Sequence, residues 1–132
     1  MNGSNKPVVL VVDDAAESID VARGALGSEF HVKAAINGAK ALELATLHKP
    51  DLILLDVMMP DMSGYDVCLR LKADYTTSDI PVIFVSAIVH EQSKNKQGYP
   101  LYVGQRFLPK PVDIQRLVDA IEELSIETHQ RN

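Results

Sequence analysis

Apolar and polar residues recur along the chain with two periods, one typical of buried strands and one typical of helices. Runs without a charged residue occupy positions 8–12, 52–55 and 80–85, and such short apolar runs are typical of strands buried on both faces. Between these runs, apolar residues return every three or four positions, as they do along one face of a helix. The pattern therefore predicts strands and helices in alternation.

Two weaker strands complete the predicted set. Val32, Ala34 and Ile36 alternate with their neighbours, and Phe107 and Leu108 form the centre of a brief last strand. The predicted helices each carry an apolar stripe. The stripes are Ile19, Ala22 and Leu26, then Ala41, Leu42 and Ala45, then Val67, Cys68 and Leu71, and finally Ile114, Leu117, Val118, Ile121 and Leu124.

Residues that start and stop helices stand beside these stripes. Asn37 and Asp113 fit helix N-caps, and Gly27 fits a C-terminal cap. Residues 88–106 combine a polar stretch with two glycines and a proline, which disfavour a long helix. We expect a short fourth helix and an irregular connection in that segment.

Five β-α units with apolar strands predict an α/β fold, in which helices cover both faces of a parallel sheet through right-handed crossovers. A chain of 132 residues fits one domain. We place the folded domain at residues 7–124, with a flexible N-terminus at residues 1–6 and a frayed tail at residues 125–132.

Composition narrows the function classes. The formal charge is −5 and no long Lys/Arg run occurs, which argues against direct nucleic-acid binding. The apolar runs are far shorter than the ~20 residues of a membrane helix, and the polar start is no signal peptide. The single cysteine, Cys68, lies in an apolar stripe and suggests a reducing environment, so we expect a cytoplasmic protein.

Polar residues gather where the predicted strands end. Asp13 and Asp14 follow the first strand, Asp56 the third, Ser86 the fourth and Lys110 the fifth. Because parallel strands bring their carboxyl ends to one edge of the sheet, where ligands bind in such folds, these side chains should meet. Single acids at strand ends would be ordinary surface residues, but three with a lysine favour a site.

Three neighbouring carboxylates repel one another unless a cation neutralises them. Oxygen ligands without His or Cys favour a hard ion such as Mg²⁺, for which Mn²⁺ could substitute. A carboxylate beside Mg²⁺ and an ammonium can attack a phosphoryl group, because the charge on the transferring oxygens is then offset. Asp56 would thereby become an aspartyl phosphate.

Four segments resemble, in order, the signature blocks of response regulator receiver domains, a family that includes the chemotaxis response regulators. The resemblance extends from Lys6 to about Leu124 and implies a flavodoxin-like, doubly wound (βα)5 sheet with the strand order 2-1-3-4-5. The four blocks are VVLVVDD (8–14), LILLDVMMPDMSG (52–64), IPVIFVSA (80–87) and FLPKP (107–111).

The resemblance also implies roles for the residues of the site. Asp56 would be the phosphoacceptor, and Lys110 would contact the phosphoryl group. Asp14, Asp56 and the backbone carbonyl of Met58 would bind Mg²⁺ directly, with Asp13 acting mainly through water.

Further roles concern the switch and the shape of the site. Ser86 would be the switch hydroxyl, and Phe107 the aromatic that changes rotamer on phosphorylation. Ala87 is small, as phosphoryl access requires, Gly64 fits the turn below the acceptor, and Pro111 resembles the family's cis-proline. The stretch QGYPLYVGQRF lacks the Gly-Ala pair that the family usually has before the last strand. The family's usual output surface is therefore not assigned to this chain.

The implied partners are a sensor histidine kinase or a phosphotransfer protein. The segment DLILLDVMMPDMSGYDVCLRLKAD resembles receivers joined to cyclic-di-GMP enzymes or hybrid kinases. The sequence is therefore compatible with a receiver that controls a fused or separate output domain and with a stand-alone regulator. It is also compatible with a homodimer. We expect no nucleic-acid or membrane partner.

Three other function classes fit part of the pattern. Haloacid-dehalogenase-like phosphatases need a second acid two positions after the nucleophile, where this chain has Met58. Flavodoxin-like binders share the architecture, but no glycine-rich phosphate loop follows the first strand. A degenerate receiver would lack part of the acid and lysine set. We therefore expect a signalling domain that catalyses only its own phosphorylation and slow dephosphorylation.

Overall fold

The computed structural model describes residues 6–86 and 106–131, so the segment 87–105, with most of the expected short helix and irregular connection, lies outside the described residues. The described strands are β1 (Val8–Val12), β2 (His31–Ala35), β3 (Leu52–Asp56), β4 (Val82–Ser86) and β5 (Arg106–Pro109). The described helices are α1 (Ala16–Leu26), α2 (Gly38–His48), α3 (Gly64–Ala73) and α4 (Ile114–Arg131).

The five strands form one parallel sheet in the order β2-β1-β3-β4-β5, which confirms the predicted α/β architecture. The register sets Val12 beside Leu55, and Leu55 beside Phe84. Strands β1, β3 and β4 are buried along most of their length. Because helices cover both faces of these strands, polar side chains are confined to the strand ends.

Alternate strand residues supply two cores, one on each face of the sheet. Leu10, Ile53 and Phe84 pack in the core that also contains residues of α2 and α3. Leu54 belongs to the opposite core, together with residues of α1 and α4. These four side chains are at most 1% exposed, and burying each contributes about 1.5–3 kcal/mol. A shift of one residue in register would reverse their faces, so the strand ends are fixed in space.

Both predicted N-caps are confirmed. The side chain of Asn37 accepts a hydrogen bond at 2.8 Å from the third amide of its helix, and Asp113 accepts one at 2.8 Å from the second amide of α4. Ser63 caps α3 in the same way at 3.1 Å. Gly27 is the C-cap of α1, and its φ of −63° and ψ of −23° are right-handed. Glycine suits this position through its small size, because a Cβ atom would lie 2.8 Å from the carbonyl oxygen of Arg23.

The structure differs from the sequence prediction at the end of β2. Strand β2 ends at Ala35, and Ile36, which the alternation placed in the strand, is 58% exposed. Helix α4 continues to Arg131, because the last residues contain no glycine or proline to stop it, and fraying of residues 125–132 stays a prediction. Among the described residues, no helix is both long and apolar enough to cross a bilayer.

Candidate functional site

The predicted polar residues lie at the carboxyl ends of their strands, along one edge of the sheet. Asp13 and Asp14 follow β1, and Asp56 is the last residue of β3. Ser86 ends β4, and Lys110 follows β5. Since the four strands are parallel neighbours, the sheet brings residues that are far apart in sequence to one edge.

The three carboxylates form a cluster that could hold a metal ion. Asp13, Asp14 and Asp56 each offer an oxygen atom, and these oxygens lie within 4.8 Å of one another. Asp13 and Asp56 are buried, at 4% and 7% exposed, whereas Asp14 is exposed. An all-oxygen set that is open on one side fits a hard divalent ion that keeps part of its water shell, as Mg²⁺ does.

Lys110 balances part of this negative charge. Its Nζ lies 2.7 Å from Oδ2 of Asp13 and 3.5 Å from Oδ2 of Asp56. Burial lowers the pKa of Lys110, but the hydrogen bond to Asp13 and the charges of both carboxylates outweigh it and raise the pKa above 10.5. The ammonium therefore stays protonated at neutral pH.

Asp56 is a carboxylate whose charged form is disfavoured by its surroundings. Burial raises its pKa above the ordinary 3.8, Lys110 opposes this effect, and the charge of Asp13 adds to it. A hydrogen bond from the backbone N–H of Met58 also favours the charged form. One lysine does not offset the desolvation and repulsion, which leaves room for a further cation beside Asp56.

Local hydrogen bonds orient the other site residues. Oδ1 of Asp13 accepts from the N–H of Ala15 at 2.9 Å, and the N–H of Asp13 donates to the carbonyl of Ala35 at 3.0 Å. The N–H of Lys110 donates to the carbonyl of Ser86 at 3.0 Å. The Lys110–Pro111 peptide bond is cis, as the resemblance implied. Backbone contacts between neighbouring strands thus fix both partners of the Lys110–Asp13 pair.

The residues expected to switch lie on β4 and β5. Ser86 is half-buried at the end of β4 and pairs in register with Pro109. Phe107 stacks on Phe84, with ring centroids 5.0 Å apart and an interplanar angle of 26°, and lies 6.5 Å from the ring of Tyr65. Ala87 lies outside the described residues. Phe107 therefore belongs to an aromatic cluster below the site edge.

The loop after Asp56 contains a contact that the sequence analysis missed. The carboxylate of Asp61 accepts hydrogen bonds from the N–H groups of Gly38 and Ala39, both at 3.0 Å. The sequence gives only an indirect signal for this contact. Helix α2 has no acidic residue in its own first turn, so an acid from elsewhere could complement the positive end of the helix. Gly64, which was predicted to fit a tight turn below the acceptor, begins α3, and its N–H donates to the carbonyl of Val57 at 2.8 Å. A Cβ atom at this position would overlap the carbonyl oxygen of Asp56, in agreement with that prediction.

An apolar groove of about 290 Å³ opens beside the carboxylate cluster. Its walls come mainly from α1 and from the segment between β5 and α4, and Asp13 and Lys110 are among its lining residues. Val21 contributes to the wall from α1 and is 50% exposed. A partner that reached Asp56 from this side would contact the groove.

A family model described as the response regulator receiver domain matches residues 9–122. The response regulator PleD of Caulobacter vibrioides is 38% identical over 89% of this chain, which spans 26% of PleD. The polar-differentiation response regulator DivK of Brucella anthropi is 32% identical, over 86% of this chain and 92% of DivK. Among solved structures, the N-terminal domain of a response regulator receiver protein from Methanoculleus marisnigri has a TM-score of 0.67 at 32% identity, covering 89% of this chain and 94% of that one.

Proposed function

The chain belongs to the response regulator receiver domains of two-component signalling, and we propose that Asp56 is its phosphoacceptor. The donor is a phosphohistidine on a sensor histidine kinase or a phosphotransfer protein. The main support is the cluster itself, in which the oxygens of Asp13, Asp14 and Asp56 lie within 4.8 Å and the Lys110 ammonium contacts two of the three carboxylates.

The proposed reaction is a transfer of the phosphoryl group between two side chains. A carboxylate oxygen of Asp56 forms a bond to phosphorus while the phosphorus–nitrogen bond of the donor breaks, and the electron pair of that bond stays on the imidazole. Lys110 offsets the charge on the transferring oxygens. Burial of Asp56 at 7% exposure limits access of water to the acyl phosphate, which favours a signal that outlasts the donor complex.

Asp13, Asp14, Asp56 and the backbone carbonyl of Met58 are the residues that would hold Mg²⁺. When bound, Mg²⁺ supplies positive charge to the phosphoryl oxygens. Asp14 is exposed and can supply a ligand at the open side, whereas Asp13 is already hydrogen-bonded to Lys110. This division supports a direct role for Asp14 and a water-mediated role for Asp13.

The switch follows from the new charge on Asp56. A dianionic group at this edge attracts the Ser86 hydroxyl and the Lys110 ammonium, which shifts an equilibrium between two pre-existing conformations. Phe107, stacked on Phe84 one strand away, changes rotamer as Ser86 moves. The face beyond β5 then offers an altered surface to an output domain or partner, or to a second copy of the chain.

In this proposal the domain catalyses only its own phosphorylation and slow dephosphorylation. Position 58 holds a methionine that is 76% exposed, so no acid stands two residues after the acceptor to activate water. Dephosphorylation should therefore be slow. Two longer relatives support a cyclic-di-GMP enzyme or a hybrid kinase as an output. They are a probable cyclic di-GMP phosphodiesterase of Vibrio cholerae, of which the chain spans 28%, and histidine kinase P4 of Formosa agariphila, of which it spans 8%.

Incubation with Mg²⁺ and acetyl phosphate, followed by intact mass measurement, tests the acceptor. We expect the mass of one phosphoryl group on the wild type and none on Asp56→Asn. Asp14→Asn should accept phosphate much more slowly at the same Mg²⁺ concentration. One phosphate on the Asp56→Asn variant would refute the assignment.

The groove beside the site supports docking of the protein donor. Val21→Asp places a charge in its apolar wall and should slow transfer from a phosphohistidine protein, but not from acetyl phosphate. Leu69→Asp is the matched control, because Leu69 is also 50% exposed but lies on α3, across the sheet. Equal effects of both variants on the protein donor would exclude the groove as the docking site.

A further inference from the structure

Two of the first amides of α2 have their hydrogen-bond acceptor in a distant loop. The side chain of Asn37 accepts from the N–H of Lys40, the third residue of the helix. The N–H groups of Gly38 and Ala39 donate instead to the two carboxylate oxygens of Asp61, each at 3.0 Å. A carboxylate is favoured here because the helix N-terminus carries a partial positive charge. Helix α2 is therefore capped partly by the loop between β3 and α3.

The neighbouring side chain reinforces this contact. A Cβ atom on Gly38 would overlap Cγ of Met62 and lie 2.9 Å from its Sδ and 3.0 Å from a methyl carbon of Val67. Met62 thus packs directly against the backbone where α2 begins. Asp61 and Met62 together hold the tip of the loop against the helix.

The same loop carries the groups that surround the acceptor. Its first residues follow Asp56, and the N–H of Met58 donates to the Asp56 carboxylate. At its base, the N–H of Gly64 donates to the carbonyl of Val57 at 2.8 Å. The loop is therefore held at two points, its base by Gly64 and its tip by Asp61.

The contact also joins the two halves of the site. Helix α2 begins three residues after Ala35, whose carbonyl accepts a hydrogen bond from the N–H of Asp13 at 3.0 Å. One half of the site, with Asp13 and Asp14, is thus connected to α2 by the backbone. The other half, with Asp56 and Met58, is connected to α2 by Asp61.

We propose that Asp61 is a positioning residue for the magnesium and phosphoryl site, because its carboxylate ties the loop that carries Met58 to the N-terminus of α2. This role rests on the proposed function of Asp56. Loss of the Asp61 carboxylate would free the loop tip, so the backbone carbonyl of Met58 would no longer be held in a position to bind Mg²⁺. The expected result is weaker Mg²⁺ binding without loss of any metal ligand.

Calorimetric titration of the full chain with MgCl₂ tests the proposal. Asp61→Ala should weaken Mg²⁺ binding on the order of 10-fold, the lower end of the range for losing a group that orients a metal ligand. Asn37→Ala is the matched control, since it removes a different cap from the same helix. It should lower thermal stability in the same way, yet change Mg²⁺ affinity less than about twofold.

A second substitution separates positioning from charge. Asp61→Asn keeps one oxygen that can accept a hydrogen bond but removes the negative charge. Positioning predicts an Mg²⁺ affinity between those of the wild type and Asp61→Ala. Equal losses in Asp61→Asn and Asp61→Ala would mean that only the charge matters and would overturn the proposal.

Amide hydrogen exchange gives a readout that a purely structural cap would not change. Binding and positioning are reciprocal, so Mg²⁺ should slow exchange of the Gly38 and Ala39 amides in the wild type but not in Asp61→Ala. Unchanged Mg²⁺ affinity in Asp61→Ala would refute the role of Asp61 while leaving Asp56 as acceptor. No Mg²⁺ binding by the wild type would refute the proposed function itself, and this proposal with it.

Discussion

Gly64→Ala should destabilise the protein, because the backbone at this position has no room for a side chain. A Cβ atom would overlap the carbonyl oxygen of Asp56, and would lie 3.0 Å from its carbonyl carbon and 3.1 Å from Cα of Val57. The last distance is about 0.4 Å inside the ~3.5 Å at which carbon atoms attract. All three neighbours are backbone atoms, so the start of α3 must move away from the end of β3.

The size of the effect follows from three contributions. Overpacking costs about 1–3 kcal/mol, and distortion of the hydrogen bond from Gly64 to Val57, now 2.8 Å, adds about 1 kcal/mol. Alanine recovers up to ~1 kcal/mol through its higher helix propensity. The net loss is about 1–3 kcal/mol, which leaves a domain of ordinary stability folded. Phosphorylation should slow about 10- to 100-fold, because a ~1 Å displacement at a reacting group costs about that much.

Urea denaturation and the rate of phosphorylation by acetyl phosphate measure the two effects. Gly24→Ala is the control, because a Cβ on Gly24 in α1 would meet nothing within 4 Å. That variant should be more stable than the wild type by ~0.5–1 kcal/mol and should be phosphorylated normally. A Gly64→Ala protein as stable as Gly24→Ala would contradict the clash between a side chain at position 64 and the backbone of Asp56.

Two further substitutions test the charges. Burial raises the pKa of Asp56 in the folded protein above 3.8. The charge on Asp56 therefore destabilises the fold at every pH above this raised pKa. The loss of stability disappears once the pH falls below 3.8, because the carboxyl is then protonated in both the folded and the unfolded chain. In EDTA, Asp56→Asn should therefore melt at a higher temperature than the wild type at pH 7, with a gain that shrinks on acidification; a gain that grew would contradict this. Nζ of Lys72 donates to the carbonyls of Ser78 and Ile80 at 3.0 and 2.9 Å. Lys72→Met should therefore lower the free energy of unfolding, measured in urea, by ~1–2 kcal/mol. The control is Lys40→Met, which removes an exposed ion pair and should lower it by less than ~0.5 kcal/mol. Equal losses in these two lysine variants would refute the role assigned to Lys72.

Features set by local sequence could be predicted, and so could the edge on which the site lies. The apolar runs located β1 and β3 because a strand buried on both faces needs such a run. The caps Asn37 and Asp113 were visible because each bonds to an amide two or three residues away. Asp13, Asp56 and Lys110 could be grouped because parallel strands end at the same edge.

Contacts that depend on how elements pack could not be predicted. The bonds from Gly38 and Ala39 to Asp61 cross 23 and 22 residues, and a single acid in a turn gives no sign of its partner. Ile36 was misplaced because alternation does not show where pairing with β1 stops. The end of α4 at Arg131 could not be predicted, because an apolar stripe marks the buried part of a helix and hydrogen bonding can continue past it.

The site of phosphorylation is the most direct test of the central claim. Reduction of the phosphorylated protein with borohydride converts an aspartyl phosphate to homoserine, and peptide mass spectrometry then locates it. We expect homoserine at position 56 alone, formed only when Mg²⁺ and the phosphodonor are both present. Homoserine at position 13 or 14, or none at position 56 in a chain that has gained phosphate, would contradict Asp56 as the acceptor.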